Sequence, residues 1–291
     1  MDSLLRDALD IKALSHSLET QYLGRRDRLL YLPTVASTNT LALQLAHERP
    51  DEGLVVLTES QTTGKGRQGR RWIDVPGCNV LLSIVLRPLF PPHLLVMIAS
   101  LAVVDAIARA CKGQEALTAI KWPNDVLIEE RKVAGILIET SHDAQGHMLA
   151  VIGIGINVNG HIEEVSHYLA EQASYMAYAT TLETVCGHPV SRELLIASLL
   201  RSLEDAYLAL QQETAGDLSA TASAATLPSR LVRERWRGQL ATLGRAITVR
   251  QGDTTISGVA EDVDGNGELL LRRHSGELIS ITWGSVDYPT R

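Results

Sequence analysis

Aromatic residues are scarce in this 291-residue chain, at 4% with a single Phe, so a core has to be built from Leu, Ile, Val and Ala. Cysteine is scarcer still. Cys78, Cys111 and Cys186 are odd in number and far apart, which excludes a C-x-x-C zinc or redox motif and points to a reducing compartment. The nine His show no H-E-x-x-H or related spacing. No run reaches eighteen apolar residues, and the opening Met-Asp-Ser-Leu-Leu-Arg holds no apolar signal segment. The expectation is a cytoplasmic protein with no membrane association. Net charge is −7, a deficit of cations that argues against bulk nucleic-acid binding. An apolar content of 45% and this length fit a sizeable core, arranged as one large domain plus a small one.

Against that acidic background, residues 62–72 stand out: Thr-Thr-Gly-Lys-Gly-Arg-Gln-Gly-Arg-Arg-Trp. Gly64, Gly66 and Gly69 alternate with Lys65, Arg67, Arg70 and Arg71, and Trp72 closes the run. Glycines let a ligand approach backbone N–H groups closely, and guanidinium groups add forked donors for phosphate or carboxylate. The stretch spells G-x-G-x-x-G after a plausible strand at Leu54–Leu57. The residues after Trp72 cannot form a buried helix, because Pro76 and Gly77 break it. No acidic residue lies between Val75 and His93, where the dinucleotide fingerprint expects one, and Arg70-Arg71 stands where a P-loop has Lys-Ser/Thr. The spacing predicts a mobile anion-gripping loop.

Along the rest of the chain, Leu4 to Leu18 repeat at helical spacing, enough for one or two short helices. That is too little for a winged helix-turn-helix module. A strand at Leu29–Leu32 precedes Ser37-Thr38-Asn39, which reads as a helix N-cap cluster. Val80–Leu86 is a buried strand, and Pro91-Pro92 open an apolar helix that ends near Gly113. Ile120–Ile128 reads as strand, turn, strand around Lys121-Trp122-Pro123-Asn124-Asp125, and Lys132–Glu139 returns as a strand. After a polar loop from Ser141 to His147, the strand Leu149–Val158 contains Gly153 and Gly155, where a ligand or another backbone comes close. Ser191 caps a long helix, Thr214–Thr226 is a weakly ordered connector, and Leu231–Leu240 is a short helix. From Ala246, short strands cut by turns predict a small antiparallel barrel.

Four segments thus carry ligand-facing chemistry: Ser37-Thr38-Asn39, Gln61 with the glycine loop, Lys121–Asp125 with Lys132, and Gly153–Asn157. Together and in this order they resemble the biotin–protein ligases, with their Ser-Thr-Asn element, glycine–arginine loop, K-W-P-N-D, R-K-x-A-G-I-L-x-E and G-x-G-I-N. The resemblance covers residues 31–291 and is that of the stand-alone form without the DNA-binding module. It implies an α/β (α+β) fold, with a mixed-sheet catalytic domain of the class II synthetase-like type over 1–240. Residues 1–28 would be a helical extension, and 241–291 an SH3-like barrel.

The resemblance further implies an ATP-dependent, Mg2+-assisted enzyme that makes biotinyl-5′-AMP and passes biotin to a lysine of a biotin carboxyl carrier domain. Lys132, Arg67 and Asp125 would be catalytic. Ser37, Thr38, Asn39, Gln61, Gly64, Lys65, Arg67, Lys132 and Gly135 would hold biotin. Arg67, Arg70, Trp72, Lys121, Asn124, Gly153, Gly155 and Asn157 would hold ATP. The enzyme would be a monomer or homodimer with no nucleic-acid partner, and it needs no nucleophile of its own, in keeping with the absence of any Ser/His/Asp or Cys/His arrangement.

Lys65 stands where the family often has Arg, which keeps the charge and loses the fork. A lipoate-attaching enzyme of the same fold is the nearest alternative, but that group carries a Gly-Gly-Gly run, and no Gly-Gly occurs here. A biotin-sensing module without catalysis is the other, which Lys132, Asp125 and the cationic loop argue against.

Overall fold

The computed structural model describes residues 8–48, 52–111, 118–160, 178–217 and 226–288. Leu4, Leu5, Gly113 and most of the 214–226 connector lie outside them. Seven strands form the larger sheet: β1 (Leu29–Val35), β2 (Val55–Gln61), β3 (Asn79–Leu86), β4 (Thr118–Lys121), β5 (Asp125–Ile128), β6 (Arg131–His142) and β7 (Met148–Asn157). Their order is β1-β2-β3-β7-β6-β5-β4. Only β1 and β2 run parallel, so the sheet is mixed, as expected.

Strand alternation gives this sheet two unlike faces. Ile152, Ile154 and Ile156 of β7, with Val80, Leu82 and Ile84 of β3, enter the main core. Helices α3 (His93–Ala110) and α5 (Arg192–Ala215) cover that face. By length and composition α3 could cross a membrane, but it is largely buried here, so core packing accounts for its apolarity. The opposite face carries Leu149 and Val151 beneath α2 (Thr38–Glu48), in a small cluster with Ala42, Ala46 and Val85. Beyond α2 the same alternation presents Ser83, Gly153, Gly155 and Asn157. This bare polar end is where a ligand can lie.

The N-terminal extension is tied down by buried carboxylates. Among its described residues is a short helix, α1 (Ile11–Ser17), capped by Asp10. Glu59 accepts from the Leu9 N–H at 2.7 Å and pairs with the buried Arg192 at 2.6 Å. Glu204 accepts from the backbone of Gln21, Tyr22 and Leu23.

The sequence-based boundaries hold for most elements, with three differences. The polar loop before β7 is only a tight turn, in which Asp143 accepts from Gln145 and His147. A short helix, α4 (Leu182–Cys186), was not foreseen, and the last helix, α6 (Pro228–Gly238), begins earlier because Pro228 sits at its first turn. Cys111 and Cys186 form a disulfide with Cα atoms 5.7 Å apart, although 75 residues separate them in sequence. Few, odd in number and far apart, the cysteines pointed to a reducing compartment and gave no sign of this pair; Cys78 takes no part in it.

The C-terminal strands are β8 (Ala246–Gln251), β9 (Thr254–Val263), β10 (Leu269–Arg272), β11 (Leu278–Ile281) and β12 (Ser285–Asp287). They form an antiparallel sheet in the order β11-β10-β9-β8-β12, and no ladder joins β11 to β12. The expected barrel is thus an open five-stranded sheet by its hydrogen bonding. Trp122 joins it to the larger sheet: its backbone N–H donates to Thr242 at 3.0 Å and its indole to the Gly267 carbonyl at 2.9 Å.

Candidate active site

At the start of α2, Ser37, Thr38 and Asn39 are all buried. Gln61, at the end of β2, accepts from the Thr38 N–H at 2.8 Å. Ser83 Oγ lies 2.6 Å from Asn39 Oδ1 and 2.8 Å from Thr38 Oγ1. Asn39 Nδ2 donates to Glu139 at 2.8 Å. A Cβ at Gly153 would come within 2.1 Å of Asn39 Oδ1, so this glycine exists to seat the Asn39 amide. Asn39 therefore commits both ends of its amide to protein groups. These contacts brace the first turn of α2, and the missing side chain of Gly153 makes room for them.

The glycine loop folds back on itself as a small hairpin. Gly66 N–H donates to the Arg70 carbonyl at 2.7 Å, and Trp72 N–H to the Gly64 carbonyl at 3.0 Å. At Gly64 a Cβ would stand 2.6 Å from the Trp72 carbonyl, so the loop's own backbone requires that glycine. Gln68 and Gly69 form the tip with φ of 56° and 72°. Lys65 pairs with Glu139 at 3.6 Å, and Arg67 donates to Asn124 Oδ1 at 2.7 Å. Asn124 in turn donates to the Ile136 carbonyl at 2.6 Å, which ties the loop to β6.

Gly135 and Gly155 face each other across the β6–β7 ladder and leave bare backbone on the open face. The Trp72 ring fills this spot: a Cβ would meet it at 3.1 Å from Gly135 and at 2.6 Å from Gly155. Its indole N–H is buried with no hydrogen-bond partner among the described residues. Lys132 Nζ lies 5.6 Å from the Trp72 ring and 2.6 Å from Asp125 Oδ1. Lys121 stands opposite Asp125 in the β4–β5 ladder, with its ammonium 5.0 Å from the Tyr288 ring. Burial holds the Lys121 pKa below the ordinary lysine value, while Asp125 and Asp287 pull it back up. Asn157 ends β7 opposite Asn79, whose amide approaches its side-chain oxygen at 3.4 Å.

The structure thus gathers Lys132, Asp125, Gly135, Gly155 and Trp72 at one point, with Arg67, Asn124 and Lys121 bordering it. Ser37, Thr38 and Gln61 form a second, neutral group at the head of α2. Ser83 and Glu139 join these groups through Asn39, and neither stood among the residues given a ligand role from the sequence. A Ser within the apolar run Val80–Leu86 is the signal that marks Ser83. Clustered cations beside bare backbone are suited to hold anions as charge develops. No group of three or more His, Cys, Asp or Glu that could hold a metal occurs among the described residues.

Residues 31–157 match the Biotin/lipoate A/B protein ligase family, and residues 242–287 match the Biotin protein ligase C terminal domain. The biotin--[acetyl-CoA-carboxylase] ligase of Paracoccus denitrificans is 34% identical over 84% of this chain and 93% of its own. The chain belongs to the biotin protein ligase family. A second relative, the biotin--[acetyl-CoA-carboxylase] ligase of Mycobacterium tuberculosis, is 31% identical over 97% of each chain. The bifunctional ligase/repressor BirA of Bacillus subtilis is 32% identical over 89% of this chain and 73% of its own. Among solved structures, the biotin protein ligase of Aquifex aeolicus in complex with biotin and ATP superposes with a TM-score of 0.68. It covers 89% of this chain and 97% of that one at 24% identity, which shows the shared fold. As a member of this family the chain is a ligase enzyme acting in biotin ligation.

Proposed function

We propose that this ligase activates biotin as biotinyl-5′-AMP and transfers it to a lysine of a biotin carboxyl carrier domain. The observation that carries the proposal is the Lys132–Asp125 pair, 2.6 Å apart beside the Gly135–Gly155 floor and the cationic loop. In the first step a biotin carboxylate oxygen attacks the α-phosphate of ATP and pyrophosphate leaves. Two anions must meet, so a cation has to stand at their junction, and Lys132 would fill that role. Arg67, held by Asn124, would face the phosphates. The ureido ring offers both donors and acceptors, which suits the neutral Ser37, Thr38 and Gln61 group.

In the second step a carrier lysine amine attacks the mixed anhydride, forms the amide and expels AMP. Asp125 would then orient the incoming amine once ligand has drawn Lys132 away. Trp72 would move from its glycine floor to cover the adenylate and shelter it from water. Mg2+ would arrive with the nucleotide on phosphate oxygens, since the described residues gather no carboxylate cluster for it.

The deciding experiment mixes the protein with ATP, biotin and a purified carrier domain and measures the intact mass of the carrier. Pyrophosphate exchange into ATP that depends on biotin, with no carrier present, would establish the first step. Exchange that answers to lipoate and ignores biotin would move the assignment to the lipoate branch of the family.

A further inference from the structure

Three hydrogen bonds meet at the tip of the glycine loop, and two of them come from the C-terminal sheet. Arg67 Nη1 donates to Asn124 at 2.7 Å, and Arg67 Nη2 donates to the carbonyl of Gly284 at 3.3 Å. Ser285, the first residue of β12, donates its hydroxyl to Gln68 Oε1 at 2.8 Å. Gln68 has left-handed backbone angles, φ 56° and ψ 40°, a conformation that a residue with a Cβ adopts only when its surroundings hold it there. The Gly284 carbonyl is itself fixed. Gly284 has φ 145°, and a Cβ there would lie 2.4 Å from Val249 of β8.

We propose that Ser285, through Gln68, and the Gly284 carbonyl, directly, form a latch that holds Arg67 in the orientation that faces Asn124 and the phosphate side. Ser285 is then a positioning residue, acting through the loop rather than on substrate. The proposal rests on the functional reading above for its kinetic consequence, though the latch itself can be measured without catalysis. Tyr288, three residues on, lies against Lys121, so the same short segment reaches the site at two places. The C-terminal sheet is in this sense a wall of the active site.

The loop carries its own reporter, because Lys65, Arg67, Arg70 and Arg71 are trypsin sites. Wild type, Ser285→Ala, Ser285→Thr, Gln68→Ala and the Ser285→Ala/Gln68→Ala double variant are digested briefly, and the cuts are mapped by mass. Loss of the latch should speed cleavage within 65–71 by about two- to fivefold, the size that one net hydrogen bond supports. Melting temperature should stay at the wild-type value, since the bond lies at the surface. Ser285→Thr keeps the hydroxyl and should keep wild-type protection. The double variant should match Gln68→Ala alone, because both remove the same bond. In pyrophosphate exchange, Ser285→Ala should raise the KM for ATP by a similar factor and change kcat less.

Wild-type cleavage in Ser285→Ala, or additive effects in the double variant, would overturn the latch. So would a loss of protection that merely follows a lowered melting temperature. If wild type exchanges pyrophosphate with neither biotin nor lipoate, the functional reading fails, while the proteolysis still decides the latch.

Discussion

Lys132 and Asp125 are ion-paired at 2.6 Å, each side chain 23% exposed, with the Trp72 ring lying over the lysine. Neither charge is deep enough to be locked away, and neither is free in solvent. Such a pair can exchange partners when a stronger anion arrives. Lys132→Met keeps most of the chain length and removes a charge-assisted contact worth about 1.5–3 kcal/mol. If that contact acts in the transition state, biotin-dependent pyrophosphate exchange should fall about ten- to a hundredfold. A variant exchanging at the wild-type rate would make Lys132 a scaffold residue.

The two glycines of β7 serve different neighbours, so alanine at each should fail differently. Gly153→Ala drives a methyl into the Asn39 amide, whose partners Ser83 and Glu139 then shift. Overpacking of this kind costs about 1–3 kcal/mol, and because α2 carries Thr38, the KM for biotin should rise. Gly155→Ala instead expels the Trp72 ring. Its mark is a change in tryptophan fluorescence with a smaller loss of stability. Identical behaviour of the two variants would refute this division.

The disulfide can be counted directly. Denatured without reductant, the protein should show one reactive thiol, Cys78, and with reductant three. By the chain-entropy estimate a loop of 75 residues contributes about 4 kcal/mol. Cys186→Ser should accordingly lower the melting temperature by on the order of 10 °C. Three thiols without reductant would show that the pair is open in solution.

Much of the site was legible because its chemistry sits in short contiguous motifs. The period-two alternation of Gly153-Ile154-Gly155-Ile156-Asn157 already separates an apolar face from a bare one. What occupies the bare face was not legible. Gly153 and Gly155 read equally as ligand contacts, and only the fold shows that Asn39 and Trp72 fill them. Gly64 likewise answers to the loop's own backbone. Trp122 read as ligand-facing, yet it is buried and joins the two sheets. Contacts made across long separations left no local trace. Arg67 and Gly284 are 217 residues apart, and neither neighbourhood signals the other. Ser83 left a trace, one hydroxyl in an apolar strand, that composition alone does not interpret.

Asp74 gives the site a dependence on pH whose sign can be worked out. It lies just beyond Trp72, and its oxygens accept from the Gln61 N–H at 3.2 and 3.4 Å. Burial raises its pKa above the usual 3.8, while hydrogen bonds from Ser60 and Gln61 pull it partly back. The folded protein therefore holds this proton more tightly than the unfolded chain does. Just above the unfolded value the folded state binds more protons, so this carboxyl's contribution to stability falls as pH rises through the window and levels off above the raised pKa. Asp74→Asn keeps an oxygen acceptor for Gln61 and removes the buried charge. The variant should therefore match wild type near pH 4 and be at least as stable at pH 7. Urea midpoints at pH 4, 5.5 and 7 test this. A variant clearly less stable than wild type at pH 7 would mean that the ionised carboxylate holds Gln61 by more than its charge costs on burial. The head of α2 should then be disturbed too, and the KM for biotin should rise with the loss of stability.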